Sequence, residues 1–205
     1  MGHSQGGLTG ALAAPFFAGD VKAMMLSGTG GILAITIVER KDIIDFEATV
    51  RSLMQIGEDE ALTSLHPVLA LIQTAVEVTD PINYAPYWFR RRGDWPDQAS
   101  TSVLLTSGTK DAATHWKTSV ALAAAAGLPF LDPQVTDSVA HDLAGLTAQQ
   151  GPVVHNVTTF DRQPQTGAFS QWRDGSHWVI FERTAAAEVY TGFLQTAGYA
   201  APVVE

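Results

Sequence analysis

Residues 1–7 read Met1-Gly2-His3-Ser4-Gln5-Gly6-Gly7, a run that few folds can use. Gly2, Ser4 and Gly6 complete the pattern Gly-x-Ser-x-Gly, and Gly7 extends it. In a nucleophile elbow the serine sits on a sharp, strained turn between a strand and a helix, so its Oγ projects into open space. Glycines are expected on both sides, because a side chain there would collide with the strand or with the helix. Ordinary glycine and serine usage produces the pattern by chance in about one chain of this length in fifteen. A flexible glycine loop is therefore the competing reading of the motif alone. An elbow follows a strand, and only Met1 precedes this one. The sequence thus predicts that the strands ahead of the nucleophile are absent.

The downstream pattern is that of an α/β layer. Gln5 to Ala14 reads as a helix with Leu8, Ala11 and Leu12 on one face, stopped by Pro15. Val21 to Leu26 reads as a buried strand closed by Ser27-Gly28-Thr29-Gly30-Gly31. A strand, a tight turn, a helix and a second strand predict a parallel sheet. Helical periodicity then runs through Ile43, Phe46, Val50, Leu53 and Met54, and again from Glu58 to Val78 with a break at His66-Pro67. This stretch is too long for a simple connection. Residues 32–92 are expected to form a helical cap inserted into a core made of residues 1–31 and 93–205. The core pattern resumes at the apolar strand Ser102 to Thr106, which ends in Ser107-Gly108-Thr109-Lys110-Asp111. A helix from His115 to Ala126 follows, with Gly127 as its C-cap. Residues 132–165 are polar and loop-like, a last strand runs from Ala168 to Trp172, and Ala185 to Ala197 forms a closing helix.

Composition narrows the function classes. The 205 residues carry a net charge of −9, which argues against nucleic acid or an anionic membrane as partner. No apolar run reaches the roughly 18–20 residues needed to span a bilayer. Nothing assigns a compartment: cytoplasmic is the default, and secretion would need a segment upstream of Met1. With no cysteine, disulfides, thiolate metal sites and cysteine nucleophiles are excluded. No pair of histidines has metal-ligand spacing, so neither metal nor cofactor is expected. Asn156-Val157-Thr158 fits a glycosylation acceptor, a triplet short enough to arise by chance.

A serine hydroxyl becomes a nucleophile when a base takes its proton and an acid orients that base. Asp111 follows a strand, where active sites gather at the carboxyl ends of parallel sheets; its competing role is N-cap of the next helix. His177 follows the last strand and the Asp174-Gly175 turn. His3 is expected to pack rather than react. His66, His115, His141 and His155 lack strand context, and Asp80, Asp94 and Asp132 stand near prolines in turns.

The elbow Gly2 to Gly7, the post-strand Gly108 to Asp111 and the terminal Asp174-Gly175-Ser176-His177 together resemble the α/β-hydrolase superfamily, on its esterase and lipase side. The resemblance covers essentially the whole chain but only the second half of the fold. It implies a partial α/β-hydrolase fold, with a mostly parallel sheet, flanking helices, a helical cap and no N-terminal strands. It also implies a carboxylic ester hydrolase with Ser4 as nucleophile, Asp111 as acid, His177 as base and the Gln5 backbone N–H as one oxyanion donor. The second donor comes from an upstream loop that the chain lacks. The cap residues Ile35, Phe46, Met54, Tyr84, Trp88 and Phe89 suggest a small ester substrate with an apolar group. The alternative is a truncated, weakly active or inactive fragment serving as an oligomeric or binding module, with a homo-oligomer completing the sheet.

Overall fold

Three short apolar runs, spread along the chain, pair in parallel and are covered on both faces. In the computed structural model, which describes residues 1–17, 19–95 and 97–205, the strands are β1 (Gly2–His3), β2 (Ala23–Ser27), β3 (Ser102–Gly108), β4 (Val157–Thr158), β5 (Pro164–Gln165) and β6 (Gly167–Trp172). Ala18 and Pro96, which fall inside the two predicted core segments, lie outside the described residues. The main sheet has the order β1-β2-β3-β6, every pair parallel. The α/β class expected from the sequence is the class observed.

Alternation along the strands explains the layers, since successive side chains point to opposite faces. Met24, Leu26, Val103, Leu105 and Phe169 join one apolar cluster, and Met25, Leu104 and Ala168 join another. Burial on both faces is why these strands read as continuous apolar runs rather than as alternating ones. Leu104, Leu105 and Phe169 are completely buried, and each such side chain contributes about 1.5–3 kcal/mol relative to exposure.

The helices are α1 (Gln5–Ala13), α2 (Leu33–Glu39), α3 (Phe46–Met54), α4 (Pro67–Val76), α5 (Pro86–Phe89), α6 (Trp116–Ala126), α7 (Val139–Leu143), α8 (Val179–Glu182) and α9 (Thr184–Ala197). Ala11 of α1, Trp88 and Phe89 of α5 and Leu122 of α6 cover the first sheet face. Val179 and Ile180 of α8 and Phe193 of α9 cover the second. Among the described residues no helix is long and apolar enough to cross a membrane.

Two expectations need correction. A strand ahead of Ser4 is present as a stub: Gly2 pairs with Leu26 and His3 with Ser27. The Ser4 N–H then continues the ladder to the Ser27 carbonyl at 2.9 Å. Two residues suffice because the short ladder is backed at once by α1. The helix expected from Glu58 begins only at Pro67, whose fixed φ suits the first helical position. His66 caps it by accepting the Val68 N–H at 3.2 Å, and residues 57–66 are turns and irregular loop.

Residues 32–92 also divide by packing. Ala34, Ile37, Val50, Leu62 and Leu69 form an apolar cluster of their own. Ala85, Trp88 and Phe89 instead join the sheet cluster, with the Trp88 indole N–H donating to the Ala11 carbonyl at 3.0 Å. The chain thus returns to the core near residue 85, ahead of the boundary at 92.

The stretch from 132 to 165 is more ordered than its polarity suggests. It holds α7 and the β4–β5 hairpin. The Asn156 side chain acts as a piece of strand, donating to the Gly167 carbonyl at 2.8 Å and accepting the Gly167 N–H at 2.9 Å. That amide, part of the glycosylation-type triplet, is therefore engaged on the edge of β6.

Candidate active site

β3 and β6 leave the sheet side by side, Gly108 opposite Trp172. The turns that follow them are tied together. The Thr109 N–H donates to the Trp172 carbonyl at 3.0 Å, and the Lys110 N–H to the Gly175 carbonyl at 2.8 Å. The Asp174 N–H donates to Thr109 Oγ1, also at 2.8 Å. Two turns knitted in this way bring Asp111 and His177 into contact across 66 positions of sequence.

His177 Nδ1 lies 2.8 Å from Asp111 Oδ2. The Asp111 side chain is fully inaccessible and that of His177 is 11% exposed. Asp111 Oδ1 accepts the N–H groups of Ala113 and Thr114 at 2.9 and 2.7 Å. The competing role of Asp111 is thus filled in part, one oxygen serving the local turn and the other the imidazole. The N-cap of α6 itself is His115, whose Nδ1 accepts the Lys117 N–H at 3.4 Å. A carboxylate can only accept, so Nδ1 of His177 carries the proton and Nε2 presents a lone pair.

Ser4 caps α1 with φ 54° and ψ −122°. A non-glycine residue held in such a region costs about 1–3 kcal/mol and persists only when its surroundings enforce it. Here the ladder to Ser27 enforces it on one side, and on the other the Leu8 N–H bonds the Ser4 carbonyl at 3.0 Å. The hydroxyl makes no capping bond to the helix. Among the described residues no hydrogen bond joins it to His177. The His177 ring nevertheless sits beside the serine turn, its centroid 4.7 Å from that of His3. The structure therefore joins Asp111 to His177 directly and sets His3, the residue before Ser4, against the His177 ring.

The glycines around Ser4 do not all serve the same end. A Cβ on Gly2 would lie 2.5 Å from the Gly6 carbonyl oxygen, so the strand residue must be glycine. Gly6 has open space around it, contrary to expectation, because the helix turns that position outward. The tight position is Gly7, where a Cβ would lie 2.9 Å from the Thr29 Cβ.

His3 packs as expected, 4.8 Å from the Trp178 ring and edge-on to Phe181 at 5.1 Å. Both of its ring nitrogens are buried without a partner among the described residues. Burial, and then the neighbouring His177, push its pKa below the usual histidine value. Both effects favour the neutral form of His3.

The Gln5 N–H opens α1, where a helix has no internal acceptors to offer. Gln5 also lines a cavity of about 500 Å³ between α1 and the helices of the 32–76 segment. Leu8, Leu12, Ile32, Leu33, Phe46 and Val76 supply its apolar wall. Ala113 and Thr114, from the Asp111 turn, border it as well. Of the six cap residues that suggested an apolar substrate group, only Phe46 borders this cavity. Trp88 and Phe89 are core, Met54 is half exposed, and Tyr84 faces a separate surface hollow. Ile35 does not border the cavity. Leu8 and Leu12 were readable as one helix face, but spacing alone does not distinguish a face toward a core from one toward a cavity. Polar lining comes from Arg40, paired with Asp42 at 2.6 Å, and from Asp80.

No family model and no curated protein matches the chain. Among solved structures, two forms of a meta-cleavage product hydrolase (CumD) are similar to it. One is an alanine-to-valine mutant at 13% identity, and the other is a serine-to-alanine mutant from Pseudomonas fluorescens IP01 complexed with acetates, at 14% identity. Each match covers 93% of this chain and 61% of the solved one, with a TM-score of 0.38. The chain thus spans less than two thirds of the length of the proteins it matches, and what those proteins act on is a property of theirs alone.

Proposed function

We propose that the chain is a serine hydrolase that cleaves carboxylic esters through Ser4, His177 and Asp111. The observation that carries this reading is the His177–Asp111 hydrogen bond of 2.8 Å, with the His177 ring 4.7 Å from that of His3, next in sequence to a Ser4 held at positive φ. His177 Nε2 takes the proton as Ser4 Oγ attacks the ester carbonyl, and Asp111 stabilises the imidazolium that forms. The negative charge on the carbonyl oxygen falls to the Gln5 N–H, helped by the positive end of α1. Collapse of that intermediate expels the alcohol, which receives the proton from His177. Water, deprotonated by the same imidazole, then attacks the acyl carbonyl; the acid leaves as the C–Oγ bond breaks and Ser4 Oγ takes the proton back from His177. The cavity beside Gln5 is in the usual size range for ligand pockets, about 300–1,000 Å³, and its apolar wall suits an ester with an apolar group.

The test is covalent labelling with a fluorophosphonate, together with turnover of p-nitrophenyl esters. Both are expected in the wild type, and Ser4→Ala is expected to abolish both. Active protein that carries no label on Ser4 refutes the reading. A second reading is favoured by the sheet edge: β1 pairs only with Leu26 and Ser27, so Ala23 to Met25 have no strand beyond them among the described residues. In that reading a further strand, from a second copy or from additional polypeptide, completes the sheet and brings the second oxyanion donor. Activity that falls on dilution of the protein would favour the second copy.

A further inference from the structure

We infer that Asp80 is a positioning residue, a clamp that holds the Gly31–Ala34 turn in place as one wall of the cavity beside Gln5. Asp80 is 4% exposed and no cation pairs with it among the described residues. Instead its carboxylate collects four donors. Oδ1 accepts the N–H groups of Ile32 and Ile82, each at 3.0 Å. Oδ2 accepts the Leu33 N–H at 2.9 Å and Gln73 Nε2 at 2.8 Å. Gln73 extends the clamp, because its Oε1 accepts the Ala34 N–H at 3.0 Å. Three successive N–H groups at the start of α2 are thus held by two side chains that stand 39 to 48 residues later in the chain.

The clamped turn needs such restraint. Ile32 has φ 68°, a region that a β-branched residue enters only under constraint. On its other side the turn is fixed to the core, with the Gly31 N–H bonding the Thr118 carbonyl at 3.1 Å. Gly31 itself fits closely, since a Cβ there would lie 2.9 Å from that of Ile82 and 3.2 Å from Asp80 Oδ1. Ile32, Leu33 and Asp80 all border the cavity that Gln5 enters. A strained residue at a cavity wall, over-determined by buried acceptors, is where backbone strain and function coincide. Asp80 therefore shapes the space for the ester's apolar group without touching the reacting atoms.

Asp80→Asn keeps the size and replaces one acceptor oxygen by an NH2 group. Whichever way the amide turns, that group faces two donors and leaves them unpaired in a buried place. Two measurements on the full chain decide the proposal. Hydrogen exchange at Ile32, Leu33 and Ala34 is expected to accelerate by about tenfold or more, since local opening becomes easier, while exchange within β3 stays unchanged. For p-nitrophenyl octanoate kcat/KM is expected to fall by about tenfold through KM, and for p-nitrophenyl acetate by less than about twofold, because the short ester does not reach the wall. Gln73→Ala, a milder lesion, should move both readouts in the same direction and serves if Asp80→Asn does not fold.

Unchanged exchange at the turn overturns the clamp. Faster exchange with equal losses on both esters overturns its role in shaping the pocket. That role rests on the ester-hydrolase reading, and the two fail separately. A wild type that cleaves neither ester and takes no fluorophosphonate refutes the hydrolase, while the exchange measurement still decides the clamp.

Discussion

Gly28→Ala is a demanding test of the site, because a single methyl group would press on both the His177 and the His3 rings. Gly28 has φ 54°, and a Cβ built on it lies 2.8 Å from His177 Cε1, 3.0 Å from His177 Nδ1 and 3.2 Å from His3 Cε1. Carbon atoms rest at about 3.5–4.0 Å, so the ring must retreat by more than about half an ångström. Asp111 cannot follow, since its other oxygen is held by the N–H groups of Ala113 and Thr114. The His177–Asp111 bond therefore lengthens, and Nε2 swings away from the serine turn. A misplacement of 1 Å costs on the order of 100-fold in rate, which puts the expected fall in kcat/KM at about 10- to 100-fold. Alanine at a left-handed φ adds about 1–2 kcal/mol of destabilisation. For a chain of this size that lowers Tm by about 2–8 °C. Gly6→Ala is the control, since that position has open space; as a helix residue it should keep its activity and gain about 0.5–1 kcal/mol. The assays are p-nitrophenyl acetate turnover, the rate of fluorophosphonate labelling and thermal unfolding. A folded Gly28→Ala protein with undiminished turnover would refute the reasoning.

Two further outcomes follow from the same geometry. Asp111→Asn can still accept the Ala113 and Thr114 N–H groups but turns an NH2 group toward His177 Nδ1; the proton then sits on Nε2, and kcat should fall by about 10³- to 10⁴-fold with little change in Tm. His141 is buried, with Nδ1 2.8 Å from Ser138 Oγ and Nε2 3.1 Å from the Leu128 carbonyl, and burial lowers its pKa. Between that lowered value and the ordinary histidine value near 6.5 the unfolded chain binds the extra proton. Stability should therefore fall as pH drops through this window and level off below it. Urea unfolding from pH 8 to pH 4 checks this, and His141→Gln should flatten the slope; an unchanged slope would exclude His141 as a source. His3 and His115, whose pKa values burial also lowers, contribute a residual slope of the same sign.

Local chemistry made much of this protein legible from its residues alone. The apolar runs of β2, β3 and β6, the Gly127 C-cap at φ 82° and the closing helix α9 are set by propensity and by the need to bury continuous apolar segments. Asp111 and His177 stood out as candidates because each follows a strand end, and Ser4 because of the Gly-x-Ser-x-Gly run; the structure joins the first two by a hydrogen bond. Other features depend on contacts between distant parts of the chain. β1 is two residues long and exists only because Leu26 and Ser27 offer it a ladder. α7 and the β4–β5 hairpin are too short to show a period and are held by side chains such as Ser138 and Asn156. The role of Asp80 was hidden because an Asp-Pro pair reads as a turn, whereas its four donors come from residues 32, 33, 73 and 82. Sequence by itself determined the long apolar strands and the longer helices, and which side chains could do acid–base work. Tertiary structure alone decided which of those side chains meet and where the cavity opens, because hydrogen bonds across tens of residues depend on how layers pack and not on local preference.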